Sequence, residues 1–159
     1  MALYQCTYFI VPRNGNYNLF PGLNLDTFKE DVFFEDHYLW NNIGFDITKI
    51  FEYLVEKFEE GESWLDELKI YGEIDHNCIK VLTEEGKILS ISLRIDFRFD
   101  YSLFLYKGID FCEKFNFLIV DSDLNTLNLD FHEIKKNIET SKNFTEQRNL
   151  EDPDVPDMQ

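Results

Sequence analysis

Apolar and polar positions alternate most cleanly in the middle of the chain. In ILSISLRIDFRFD, Ile88 to Asp100, every second residue from Leu89 to Phe99 is apolar, leaving Ser90, Ser92, Arg94, Asp96 and Arg98 on the other side. That is the period of a strand with one face buried. Upstream, ELKIYGE and CIKVLTEEG share the same β-branched and aromatic character. Three consecutive strands are therefore predicted, with Glu85 and Gly86 as the hairpin turn between the second and third. LYQCTYFIV, Leu3 to Val11, predicts a further strand stopped by Pro12, followed by a turn-rich loop to about Asn24. FLIV, ending at Asp121, reads as a short buried strand, and Thr126 to Leu129 as another.

Helical periods flank these strands. Thr27 with Glu30 has capping-box spacing and predicts a short helix to about Asp36. Asp46 is a good N-cap for a stronger helix, with Ile47, Ile50, Phe51, Leu54, Val55 and Phe58 on one face and Gly61 placed to end it. SLFLYKGIDFCEKF spaces Leu105, Ile109, Cys112 and Phe115 near helical intervals, although Gly108 costs such a helix about 1 kcal/mol relative to Ala. Asp130 and Glu133 open a last helix bearing Ile134 and Ile138. Beyond about Thr145, TEQRNLEDPDVPDMQ carries two prolines, five acids and one Arg, with little to bury, the composition of a disordered tail. The expectation is a single α+β domain over residues 1–144 and an acidic tail over 145–159. The domain would hold a mixed, largely antiparallel sheet with a central three-strand meander and about three to four flanking helices.

Charge changes the picture more than length does. The 159 residues suffice for one core that buries roughly 70% of the unfolded surface. Thirty-one acids against 15 basic residues give a formal charge of −16, which repels phosphate backbones and anionic membranes and draws in basic partners. Direct nucleic-acid binding and membrane association are set aside on that ground. Cys6, Cys78 and Cys112 are odd in number, widely spaced and form no CxxC pair, so neither a disulfide framework nor a zinc site is suggested. The N-terminus lacks the basic start and apolar run of a signal peptide, and no stretch approaches the ~18 apolar residues of a membrane span. A soluble, cytoplasmic protein is expected.

Five groups of residues bear on candidate chemistry. In the Arg94, Asp96, Arg98 row, steps of two place the side chains about 6–7 Å apart, so the carboxylate can pair with either guanidinium. The row reads first as a structural ladder and second as a clamp for a carboxylate or phosphate. In FLIVDSDLNT, an apolar strand delivers Asp121 and Asp123. The segment resembles the nucleophile motif of haloacid dehalogenase-like phosphatases and the DxD of nucleotide-sugar glycosyltransferases, and paired carboxylates at a strand end can hold Mg²⁺. The first family needs this strand at the start of its fold and the second needs a longer chain, so turn residues are the ordinary reading and no metal or cofactor is expected. His37, His76 and His132 lie far apart, each at or near an acid, and show no ligand spacing. Cys112 sits on the apolar side of its helix and reads as core. Six acids lie between Glu56 and Glu67 with a single Lys57, and Trp64 stands among them in GESWLDEL. Trp64 reads as a core anchor or as the aromatic anchor of an acidic docking surface.

Taken in order, Ser63 and Trp64, YGEID ending at Asp75, and RIDFR resemble a widespread type of small bacterial protein, similar in size and acidity to the immunity proteins of polymorphic toxin systems. The resemblance covers about the middle third of the chain and implies a cytoplasmic, non-catalytic binding protein. The expected function is an acidic module that neutralises a basic partner such as a toxin. Glu62, Trp64, Asp66, Asp75, Arg94, Asp96 and Arg98 are the candidate contact residues. The alternative is a small hydrolase or transferase that uses Asp121 and Asp123 with a metal, or Arg94 and Arg98 as an anion clamp.

Overall fold

The structure is a computed structural model and describes residues 4–13, 37–40 and 46–151. In chain order its elements are β1 (Gln5–Pro12), α1 (His37–Trp40), α2 (Ile47–Lys57), β2 (Glu60–Gly61), β3 (Leu68–Gly72), β4 (Cys78–Glu84), β5 (Lys87–Asp96), α3 (Ser102–Phe115), β6 (Phe117–Val120), β7 (Thr126–Leu127), α4 (Phe131–Glu139) and α5 (Lys142–Glu151). The helix predicted over Thr27 to Asp36 and the tail beyond Glu151 lie outside the described residues.

Among the described residues the strands form one sheet in the order β2-β3-β4-β5-β1-β6-β7, antiparallel at every pairing. The α+β class and the β3-β4-β5 meander stand as predicted. Glu85 and Gly86 both take positive φ, 49° and 75°, the geometry of the type I′ turn whose twist suits a two-residue hairpin. The strict alternation does not run through β5, however. Leu82 pairs with Ser90 and Thr83 with Ile88, so Leu89 is the extra residue of a bulge. The bulge changes the phase, and Ile88, Ile91, Leu93 and Ile95 are the residues that enter the core.

β1 lies between β5 and β6, pairing Cys6 with Ile95 and Ile10 with both Ile91 and Ile119. One face of the sheet, carrying Tyr8, Ile10, Ile79, Leu93 and Ile119, packs under α2, α3 and α4 in the main core. The other face carries two small apolar clusters. Leu68, Ile70 and Cys78 form one, and Val11, Val120 and Leu124 join Leu39 of α1 in the second. Polar Lys80, Ser92 and Arg94 lie between those clusters.

Asp46 caps α2 as expected, its carboxylate accepting from the Thr48 and Lys49 amides. Val55, placed by its spacing on the apolar face, is exposed instead, because the buried stripe runs through Ile50, Leu54 and Phe58. Gly61 does not end α2. The helix stops at Lys57, and Gly61 belongs to β2, where a Cβ would stand 2.8 Å from the Gly72 carbonyl oxygen. The chain also stays helical past Thr145, through Glu151. Ser141 accepts from the Phe144 amide as an N-cap, Phe144 packs edge-on to Phe97 at 5.2 Å, and Gln147, one turn on, is buried. One capping hydroxyl and one aromatic contact are enough to extend the helix where composition indicated a tail.

Candidate partner-binding surface

The candidate contact residues separate into two groups at opposite ends of β3. Glu62, Trp64 and Asp66 lie in the turn that enters the strand, and Asp75, Arg94, Asp96 and Arg98 gather where it exits. Five strand residues place about 16 Å between those ends.

The entering turn presents Trp64. Trp64 is 66% exposed and its neighbour Leu65 49% exposed, so the core-anchor reading of Trp64 fails. The turn is nonetheless tied down. Ser63 Oγ accepts from the Leu65 amide at 3.3 Å, Leu65 O accepts from the Leu68 amide at 3.2 Å, and the Thr83 amide and hydroxyl both donate to Glu67 O. Behind it, the Gly72 amide donates to Glu59 O at 2.6 Å. Glu59, Glu60, Glu62, Asp66 and Glu67 are all exposed around this apolar tip. A large apolar pair held in water on a braced turn and ringed by acids has the composition of a docking anchor: aromatic at the centre, polar at the rim.

The exiting end is a structural knot. Asp96 is fully buried. Arg98 grips it through Nε, Nη2 and its backbone amide, while the Asp96 amide donates to Asn77 Oδ1. Burial alone pushes the Asp96 carboxyl up, but the Arg98 hydrogen bonds and charge, with help from Gln5, outweigh it and hold the carboxyl below the usual range. Arg98 in turn stacks over Tyr4 and Phe99. Arg94 does not share the carboxylate; its Nη1 donates to Ile74 O at 2.8 Å. The row is thus one buried ion pair plus one arginine braced elsewhere. β5 ends at Asp96, and the following turn carries Arg98 back over it. The anion clamp expected from Arg94 with Arg98 is not assembled. Asp75 is exposed and contributes its carbonyl, which accepts from Gln5 Nε2.

Asp121 and Asp123 line a polar cavity of about 480 Å³ between the end of β6 and the α4–α5 junction. Asp121 is buried, and its carboxylate accepts from the Asp123 and Asn125 amides and from the Asn125 and Asn137 side chains. Four bonds fill the capacity of an ionised carboxylate, which makes Asp121 the brace of the β6–β7 turn. Among the described residues no three His, Cys, Asp or Glu side chains converge as a metal site. The thiols of Cys6, Cys78 and Cys112 are buried, and desolvation raises each above its ordinary pKa, the opposite of an activated nucleophile. His76 pairs with Glu73 and packs on Phe99, while His132 is exposed elsewhere.

Register sets Lys80 of β4 diagonally across from Arg94 of β5, a juxtaposition that no local pattern in the sequence reveals. Among the described residues no helix is long and apolar enough to cross a membrane. The chain matches no family model, no curated protein and no solved structure.

Proposed function

We propose that this protein is a non-catalytic acidic binding module that engages a basic protein partner through Trp64 and Leu65, in the manner of an immunity protein that neutralises a toxin. One observation carries this reading: a Trp two-thirds exposed on a turn that hydrogen bonds hold in place. Surface aromatics of this kind supply large contact area at small entropic cost, since the backbone beneath them is already ordered. The surrounding acids and the net charge of −16 steer a cationic partner toward the patch and reject anionic ones. Glu62 and Asp66 belong to this surface. Asp75, Asp96 and Arg98 belong to the support at the far end of β3.

Affinity capture from the source lysate, run in parallel with wild type, Trp64→Ala and a Glu62→Lys/Asp66→Lys double variant, tests the proposal. Wild type should retain one basic protein in stoichiometric amount, and both variants should lose it while unfolding at the wild-type temperature. Equal retention by all three would overturn the assignment of this surface.

A further inference from the structure

The sheet face opposite α3 holds two cations, Lys80 and Arg94, that have no counter-ion among the described residues. Strand register places Lys80 opposite Ser92, Arg94 opposite both Cys78 and Thr7, and Ser92 opposite Phe9. Directly paired residues on one face have Cβ atoms about 5 Å apart and diagonal ones about 7 Å. Lys80, Ser92, Arg94 and Thr7 therefore share one patch. All four are half-buried. Among the described residues no acid stands within ion-pair distance of either cation, in a chain that carries 31 of them. The nearest carboxylate along β5, Asp96, is already taken by Arg98. Asp75 is exposed in the turn between β3 and β4, where the carbonyl of its neighbour Ile74 orients Arg94.

Two like charges that are partly desolvated and unneutralised cost stability unless something is gained from them. Desolvation first, and the Arg94 charge second, depress the Lys80 pKa, and an anion seated between the two would offset the like-charge repulsion. With one Nη committed to Ile74 O, Arg94 keeps the rest of its fork for a ligand. Lys80 supplies a mobile point charge beside it, and the Ser92 and Thr7 hydroxyls supply further donors.

We infer that Lys80, Arg94, Ser92 and Thr7 form a site for a phosphate-type oxyanion, either free phosphate or a phosphate monoester. Two cations and two hydroxyls on a flat patch match a tetrahedral dianion with three outward oxygens. A singly charged carboxylate would leave one cation unanswered. The site shares no residue with the Trp64 surface, and the inference holds whether or not a basic partner docks there.

Thermal unfolding of the full chain in inorganic phosphate, methyl phosphate, acetate and chloride, at matched ionic strength, tests this. About 10 mM phosphate should raise Tm by about 4 °C over chloride, the shift expected for roughly tenfold saturation of one site, and acetate should not. A further rise with methyl phosphate identifies a monoester as the ligand, and a smaller rise identifies the free ion. Titration calorimetry with inorganic phosphate on the wild type should show one site. Lys80→Met should unfold at or above the wild-type temperature in chloride, because it removes a desolvated charge, and should lose the phosphate shift. Lys80→Arg should restore it. The inference is overturned if calorimetry detects no site, if acetate matches phosphate, or if Lys80→Met keeps the shift.

Discussion

Arg98 bends back over the end of β5 and meets a carboxylate with no exposed surface, although about 38% of its own side chain remains in water. The two members of the pair are therefore unequal. Replacing Asp96 leaves a guanidinium that can hydrate, whereas replacing Arg98 strands a buried carboxylate. Asp96→Asn is expected to cost about 2–3 kcal/mol, the range of charge-assisted hydrogen bonds, and Arg98→Ala more. Denaturant unfolding of both variants checks the order. Because the folded-state pKa of Asp96 lies below its unfolded value, its contribution is complete above about pH 4 and is lost as pH falls through the folded value. The wild-type advantage over Asp96→Asn should accordingly shrink when unfolding is measured at pH 3 instead of pH 7. Trp64 gives the opposite pattern. Trp64→Ala should move stability by less than about 0.5 kcal/mol, as for an exposed side chain, and its effect should be confined to binding.

At the scale of elements, Gly108 lies in the middle of α3 and against the sheet. An added Cβ would meet Leu93 methyls at 3.5 and 3.6 Å, ordinary contact distances. Gly108→Ala should therefore stabilise by about 0.5–1 kcal/mol through backbone entropy, read as a rise in urea midpoint. α5 can be probed by Phe144→Ala. The ring is only partly buried against Phe97, so a loss of about 1–2 kcal/mol is expected, below the ~3–5 of a fully buried Phe. These two helices also show what can be read from sequence. α3 announces itself, since Leu105, Ile109 and Cys112 repeat at the helical period and are all buried. α5 does not, since its order rests on Ser141, Asn143 and Phe144 reaching β1 and Phe97, partners distant in sequence. The β5 bulge was hidden because Leu89 is apolar and fits either phase. Trp64 was ambiguous because a core tryptophan and a docking tryptophan are the same letter among the same neighbours. The Arg94 to Ile74 bond and the Lys80 patch follow from register alone, which local patterns do not fix.

For the whole molecule, the dominant long-range quantity is its charge. If a basic partner docks at Trp64, raising salt from about 0.05 to 0.5 M should slow association by tenfold or more while changing dissociation little; stopped-flow mixing would measure both. The placement of β1 bears on a different matter, the order in which the molecule is made. β1 precedes every other described element in the chain, yet both its sheet neighbours, β5 and β6, come late. During synthesis its apolar residues leave the ribosome without a partner, and at 5–20 residues per second they wait on the order of ten seconds for β6. The β3-β4-β5 hairpins can close on their own in that interval, because their contacts are local. β1 then enters a gap already bordered by β5, making its insertion the step most open to misassembly and to rescue by a chaperone.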